Sequence, residues 1–309
     1  MSSFLLILIC LTAGYFLRFT RKLPDTLPKS LNGMVIYLSF PALILAQMPE
    51  FLASGQWRGH LLIPGSMAWI SILVSLAVFG MLGKSRKWDP RLTGALILTA
   101  GFGNTSFVGF PLIEAFYGTE GLKTALIVDQ VGSFLSLSTI GIMIGAYYSA
   151  NESGNLGVQI VRKVVTFPPF IAMCVVILLN GVGVALPQVL HDALVRLGST
   201  LVPLALVSVG FQLRASREVL KRKWSALSLG LGYKLVLAPV ALAFLYMGVF
   251  GSRSQDTRIT LIEAAMAPMI TAAIIAEDFE LDSELCGLMV GIGIPLSLIT
   301  VPIWWWLIG

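Results

Sequence analysis

Apolar segments about as long as a membrane is thick follow one another along the chain. A helix needs roughly 20 apolar residues to cross the ~30 Å hydrocarbon core of a bilayer. The sequence offers ten such segments, which cover residues 2–19, 31–48, 61–83, 91–117, 122–148, 165–185, 189–213, 224–250, 257–276 and 285–308. With 56% hydrophobic and 12% charged residues, the composition excludes an ordinary soluble domain. The sequence therefore predicts an all-α protein that crosses the membrane many times.

Two of these segments are interrupted by glycine and proline. The fourth is broken over residues 101–111, which include Gly103 and Pro111, and the ninth over residues 264–271, which include Pro268. Such residues interrupt the hydrogen-bond ladder of a helix, and the backbone groups that they free cannot stay unpaired in hydrocarbon. Paired broken helices at matching positions in two halves are typical of a transport site. We expect Gly103, Pro111 and Pro268 to shape this site.

The chain divides into two halves of five segments each. Residues 1–150 form the first half, residues 151–163 a polar cytoplasmic linker, and residues 164–309 the second half. Because five is odd, the halves enter the membrane in opposite senses, as in an inverted repeat. Short echoes support a repeat, since residues 39–43 resemble residues 201–205 and residues 136–139 resemble residues 297–300.

The distribution of charge predicts the orientation. With both termini outside, fifteen of the 21 lysines and arginines fall on the inner side, which is the positive-inside bias. The net charge of +5 is explained by this bias, and we expect no nucleic-acid partner. The cluster Trp304-Trp305-Trp306 is typical of an aromatic anchor at the outer interface.

Several motifs carry a resemblance that runs from end to end. They are Leu31-Asn32, Val35-Ile36-Tyr37-Leu38-Ser39-Phe40-Pro41-Ala42-Leu43, Gly103-Asn104-Thr105-Ser106-Phe107-Val108-Gly109-Phe110-Pro111-Leu112 and Val209-Gly210-Phe211-Gln212-Leu213. In them the chain resembles the auxin efflux carrier family, within the bile acid sodium symporter superfamily. The resemblance implies ten spans in two inverted five-helix repeats, with the fourth and ninth helices broken and crossing near the membrane centre. It also implies that the first, second, sixth and seventh spans form a scaffold, against which a transport domain made of the other spans moves.

The broken fourth span offers groups that suit an organic anion. These are the Asn104 amide, the Thr105 and Ser106 hydroxyls and the amides of a half-helix N-terminus, whose partial positive charge suits a carboxylate. Family members often carry a polar residue shortly after the ninth-span proline, and here Thr271 is the polar side chain in that stretch. We expect these four residues to bind substrate. The alternative is that they link neighbouring helices by hydrogen bonds.

Among the ionisable residues inside the predicted spans, three are candidates for ion coupling or for contact with substrate. An acid at this depth is costly unless it is protonated, paired or wetted. Asp129, which is followed by Gln130, is therefore the leading candidate for proton or cation coupling, with a structural hydrogen bond or a basic partner as the alternative. Glu263 is the second candidate, and its alternative is a position at a hydrated helix end. Lys234 is a candidate for contact with the substrate's carboxylate, and its alternatives are an ion pair with Asp129 or Glu263 and an ammonium group that its long side chain carries to the membrane surface.

Together these features predict a secondary transporter that moves a small organic anion by alternating access, with export as the direction that the resemblance implies. The substrate is open between an auxin-like aromatic acid and a dicarboxylic acid such as malate. Proton coupling through Asp129 is one hypothesis. A sodium-coupled symporter and a membrane-embedded solute sensor are the alternatives.

No nucleophile–base set, phosphate-binding loop or metal-ligand spacing is recognised, so the sequence predicts no enzyme, no metal site and no cofactor beyond a coupling H⁺ or Na⁺. The expected partners are the anion and membrane lipid, and the resemblance allows a homodimer. The predicted location is the bacterial inner membrane.

Overall fold

The computed structural model describes residues 2–20, 22–53, 61–149, 158, 165–212 and 217–308. Within these ranges the chain is helical, and its one extended pairing is an isolated bridge. The α-helices in chain order are α1 (Ser2–Phe19), α2 (Leu27–Met34), α3 (Phe40–Ala53), α4 (Leu62–Arg86), α5 (Pro90–Gly101), α6 (Phe110–Ile127), α7 (Ile142–Tyr148), α8 (Pro168–Gly181), α9 (Gln188–Gly198), α10 (Leu201–Gln212), α11 (Arg217–Gly232), α12 (Ala238–Ala243), α13 (Gln255–Ala264), α14 (Ile270–Asp278) and α15 (Ser283–Ile308). The predicted linker over residues 151–163 lies outside the described residues apart from Val158.

Six continuous helical stretches of the described chain are long and apolar enough to cross a membrane. They are Leu27–Pro49, Leu62–Arg86, Thr105–Tyr148, Gln188–Ser208, Glu218–Val249 and Ser283–Ile308. Six is fewer than the ten predicted spans, partly because both interrupted segments divide into shorter helices. In addition, the end of the predicted fourth span and the predicted fifth span are joined in one helical run, Thr105–Tyr148, and so count as one stretch. Its path is broken at Gly118, where φ is 71° and ψ is −172°, a conformation that glycine adopts without a Cβ clash.

Many of the helices contain wide turns of π-helical geometry, in which an N–H bonds the carbonyl five residues back. In the described chain they are Val35–Ser39, Thr105–Gly109, Val128–Phe134, Leu137–Gly141, Tyr233–Leu237 and Phe244–Val249. Two of these turns receive an indole donor from a neighbouring helix. Trp69 Nε1 donates to Val131 O (3.1 Å), and Trp304 Nε1 donates to Leu235 O (2.9 Å). The second bond has a clear cause, since Pro239 stands four residues after Leu235 and has no N–H to offer its carbonyl.

The helices pack in two groups. The first group consists of α1, α2, α3, α8, α9 and α10, the helices of the first, second, sixth and seventh predicted spans. Glycine lets its central pair approach closely, because a Cβ on Gly14 would lie 2.3 Å from Val207 O and one on Gly210 would lie 2.2 Å from Leu11 O. The second group consists of α4 to α7 and α11 to α15. The groups meet where α6 packs against α1, α3 and α10.

Candidate functional site

The two interrupted segments meet inside the second group of helices. Residues 102–104 follow α5, and residues 265–269 connect α13 to α14. Gly103 and Pro268 form an isolated antiparallel bridge. We call residues 102–104 and 265–269 together the crossing.

Backbone hydrogen bonds hold the crossing together. Asn104 N donates to Ala267 O (2.8 Å), and Met269 N donates to Phe102 O (3.1 Å). All four residues are at most 6% exposed. Each break therefore supplies hydrogen-bond partners to some of the backbone groups that the other break leaves free, as an interior without water requires.

A side chain from a neighbouring helix caps the carbonyl at the end of each half-helix that precedes the crossing. Ser71 Oγ donates to the carbonyl of Gly101, the last residue of α5 (2.8 Å). Lys234 Nζ donates to the carbonyl of Ala264, the last residue of α13 (3.0 Å). Each donor stands 30 residues before its acceptor in the sequence. The two breaks are thus supported in the same way, one by a hydroxyl and one by an ammonium group.

The two helical segments that follow the crossing begin differently. Asn104 Oδ1 caps the first of them, because it accepts from Phe107 N (3.1 Å) and Val108 N (3.3 Å). The amide nitrogen Nδ2 of the same residue is buried and has no hydrogen-bond partner among the described residues. No side chain of the described chain caps α14, which begins after Met269. The crossing therefore presents hydrogen-bond donors that no acceptor in the described ranges uses.

A cavity of about 300 Å³ lies beside α14. Ile270 and Ala273 of α14 line one wall, and Phe211 of α10 lines another, so the cavity lies between the two groups of helices. The carboxylate residues Asp25 and Glu277 also line it. A small solute that occupies this cavity would lie against the first residue of α14.

Asp129 is buried in the π turn Val128–Phe134 and is held by three donors. Its Oδ1 accepts from Thr105 Oγ1 (2.6 Å) and from Ser106 Oγ (2.8 Å), and its Oδ2 accepts from Gln130 Nε2 (2.8 Å). The Thr105 and Ser106 hydroxyls thus link two helical segments, as the alternative interpretation of the sequence had it. A carboxylate with three donors is well stabilised in its charged form. Contact of these two hydroxyls with substrate stays a prediction.

Lys234 reaches the crossing from the π turn Tyr233–Leu237. It is fully buried, which excludes the alternative in which its ammonium extends to the membrane surface. A Cβ on Gly103 would lie 3.0 Å from Nζ, so glycine at this position leaves room for the ammonium group. No carboxylate of the described chain lies within ion-pair distance of Nζ, although the charge of Glu263 is near enough to act on it. The predicted direct pair with Asp129 or Glu263 is therefore absent from this part of the chain.

Glu263 lies one residue before the end of α13 and is fully buried. Both of its carboxyl oxygens lack a hydrogen-bond partner among the described residues. A Cβ on Gly109 would lie 2.3 Å from Oε2, so the carboxyl group packs directly against the backbone of the π turn Thr105–Gly109. The two predicted coupling acids thus differ sharply, because the described part of the chain supplies three donors to Asp129 and none to Glu263.

The remaining predicted residues are placed as follows. Thr271 is the second residue of α14 and is half-buried, and no hydrogen bond joins its side chain to the described residues of the crossing. Pro268 is part of the crossing and packs against α15, where a Cβ on Gly293 would lie 2.5 Å from its Cδ. Pro111 is the second residue of α6, which continues the helical run from the π turn Thr105–Gly109, so it lies after the crossing and not within it. Its expected part in shaping the crossing stays a prediction.

Three residues that support the site were missed by the sequence analysis: Ser71, Gly109 and Trp304. A serine or a glycine in an apolar helix gives no local signal of the carbonyl or carboxyl group that it contacts. Pro239 was a usable signal for Trp304, because a proline within a helix cannot donate to the carbonyl four residues before it.

Comparison with known proteins agrees with this architecture. Residues 1–305 match the family described as membrane transport protein. An uncharacterized transporter of Methanocaldococcus jannaschii is 26% identical, over 100% of this chain and 98% of its own. The uncharacterized transporter YfdV of Escherichia coli is 21% identical, over 96% of this chain and 94% of its own. A probable auxin efflux carrier component 5a of Oryza sativa subsp. japonica is 26% identical over 45% of this chain and 38% of its own.

The family match covers nearly the whole chain, and the apolar helices agree with it. The protein is therefore a multi-pass membrane transporter and not an enzyme, and it belongs to the membrane transport protein family, that of the auxin efflux carriers.

Proposed function

We propose that this protein is a secondary transporter that carries a small organic anion across the bacterial inner membrane by alternating access. The substrate's carboxylate binds at the crossing, between Asn104 Nδ2 and the uncapped N-terminus of α14. The cavity of about 300 Å³ beside α14 is its route to one side of the membrane. The first group of helices is the scaffold, and the second group moves against it with the crossing.

The observation that carries this proposal is the set of unused donors at the crossing. A buried amide N–H without an acceptor costs free energy, about 1–3 kcal/mol for each group. Asn104 Nδ2 and the first amides of α14 all require an acceptor with lone pairs, and the helix N-terminus favours a negative one. A carboxylate supplies several lone pairs and the matching charge. The name of the rice relative points to an auxin-like acid as one substrate class, and a dicarboxylic acid such as malate is the other.

Two features support ten spans in two inverted five-helix repeats. The two capping bonds, Ser71 to Gly101 and Lys234 to Ala264, have the same separation of 30 residues. They are themselves 163 residues apart, close to the offsets of 162 and 161 residues between the short sequence echoes. Together with the positive-inside bias, this arrangement supports an orientation with both termini outside.

We further expect transport to need no sodium ion. In transporters with broken helices, the carbonyl ends of half-helices are where coupling cations bind. Here the ammonium of Lys234 already occupies the carbonyl end of α13.

The test is counterflow in proteoliposomes with labelled malate and labelled indole acetate, each with and without sodium. The variant Asn104→Asp keeps an oxygen that can cap Phe107 and Val108 but replaces the Nδ2 donor by a negative oxygen. Loss of a hydrogen bond to a charged group is worth about 1.5–3 kcal/mol, so we expect exchange to fall by about tenfold or more. Asn180→Asp is the matched control, because Asn180 is exposed at the end of α8.

Saturable exchange of one acid that is lost in Asn104→Asp and kept in Asn180→Asp would support the proposal. Binding of these acids without any exchange would favour a solute sensor. Exchange that requires sodium would favour the sodium-coupled symporter. Exchange that is equal in the wild type and in Asn104→Asp would remove the crossing as the site.

A further inference from the structure

We propose that each anion crosses the membrane together with a proton carried by Glu263, while Asp129 stays charged throughout the cycle. This inference rests on the proposed function, because it assigns a second ligand to the same crossing. It gives the two acids in this region of the protein different roles. Glu263 binds and releases a proton, and Asp129 keeps a charge that holds two helical segments together.

The first step of the argument is the surroundings of Glu263. An ionised carboxylate without donors in a dry interior is far more costly than a neutral carboxyl group. Both oxygens of Glu263 are buried, neither has a hydrogen-bond partner among the described residues, and Oε2 packs against Gly109. In the conformation of this structure, the group is therefore best accommodated with its proton bound.

Asp129 has the opposite surroundings. Thr105, Ser106 and Gln130 each donate one hydrogen bond to its carboxylate, at 2.6–2.8 Å. Protonation would remove an acceptor lone pair and weaken bonds that are strongest to a charged oxygen. The donors thus favour a permanently ionised Asp129, which links the π turn Val128–Phe134 to the π turn Thr105–Gly109.

The charges near Glu263 explain why the proton and the anion bind together. The charged groups of the described chain that act on Glu263 are Asp129 and Lys234, and these two carry opposite charges. With Glu263 protonated, the site is close to neutral before substrate binds. With Glu263 ionised, an arriving carboxylate meets one more negative charge, which lies against Gly109 at the end of the π turn that follows the crossing. Proton binding therefore strengthens anion binding, and by linkage the anion strengthens proton binding to the same extent.

The proton balance follows directly. On the loading side Glu263 takes one proton from water and the crossing takes one anion. On the other side the anion leaves first, the carboxyl group becomes accessible to water, and it releases the proton there. Anion and proton thus move in the same direction, and the fixed charges of Lys234 and Asp129 stay with the protein.

The experiment measures proton movement and anion exchange separately in the same proteoliposomes, which contain a trapped pH indicator. Counterflow of labelled malate and labelled indole acetate reports exchange. An outward gradient of each acid reports coupled proton movement, as a rise of the internal pH above that of protein-free liposomes. In the wild type we expect both signals, with counterflow about tenfold faster at acidic than at neutral pH, within the range that such couplings span.

The informative variant is Glu263→Gln, which mimics a carboxyl group that never releases its proton. We expect it to lose the rise of internal pH and to show counterflow with little dependence on pH. The matched control is Glu114→Gln, which removes a half-buried acid of α6 outside the crossing and should behave as the wild type does.

Three results would overturn the inference. The first is wild-type counterflow without proton movement, which leaves the proposed function intact and needs no variant. The second is proton movement that persists in Glu263→Gln. The third is proton movement that is lost in an exchanging Asp129→Asn variant and kept in Glu263→Gln, which would place the proton on Asp129. If the wild type shows no counterflow of either acid, that result would count against the proposed function itself.

Discussion

The contact between Thr105 and Asp129 gives a quantitative test of whether Asp129 is ionised. Thr105→Val removes the hydroxyl that donates to Asp129 Oδ1 at 2.6 Å and keeps the shape of the side chain. A hydrogen bond to a charged group is worth about 1.5–3 kcal/mol, and one between neutral groups about 0.5–1.5 kcal/mol. In the Asp129→Asn background the acceptor oxygen remains but the charge is gone. The cost of Thr105→Val should therefore be about 1–1.5 kcal/mol larger in the wild type than in this background.

The free energy of unfolding can be measured in mixed micelles for the wild type, both single variants and the double variant, which completes a double-mutant cycle. Thr139→Val is the matched control, because Thr139 Oγ1 donates within its own helix to Leu135 O (2.7 Å). Its cost should be the same in both backgrounds. A coupling between Thr105 and Asp129 below about 0.5 kcal/mol, the usual limit of additivity, would refute the argument that Asp129 is charged.

Two further predictions concern the groups that support the crossing. Trp304→Phe removes the donor to the Leu235 carbonyl, so we expect the free energy of unfolding to fall by about 1 kcal/mol. Trp305→Phe is the matched control and should change this free energy far less, because the Trp305 indole caps no carbonyl of the described chain. Ser71→Ala leaves the last carbonyl of α5 without its buried donor, which should cost about 1–3 kcal/mol. Ser75→Ala removes the hydroxyl that donates to a carbonyl in the interior of α5, and it should cost less. Equal losses of stability in the Ser71 and Ser75 variants would contradict the capping role of Ser71.

The breaks themselves could be predicted from the sequence because their causes are local. Glycine and proline weaken a helix locally, so the clusters that contain Gly103 and Pro268 in two apolar segments predicted the breaks before any contact was known. The bridge between them is a contact over a long stretch of chain, and no local pattern contains it. Only the resemblance to a family implied that the two breaks meet.

The partners of the polar side chains could not be predicted in the same way. The sequence left Thr105 and Ser106 open between contact with a solute and hydrogen bonds between helices, and it did not indicate Asp129 as their partner. A helical period of 3.6 residues assigns faces correctly only in a regular α-helix. Trp304 shows the same limit, because the sequence indicated only an interface anchor and gave no sign that its indole donates to the carbonyl of Leu235.

The π turns also determine which changes of chain length this fold can absorb. A π turn holds about one residue more than an α-helical turn, so deleting one residue from Tyr233–Leu237 would restore a regular helix without breaking it. The same deletion would rotate the part of the helix before the turn by roughly 100° about the helix axis, relative to the part after it. Lys234 would then turn away from the crossing while the helix still spanned the same neighbours. A single-residue deletion at this turn would thus change the charge of the site and leave the packing of the helices largely in place, a step by which related carriers could acquire different ions or substrates.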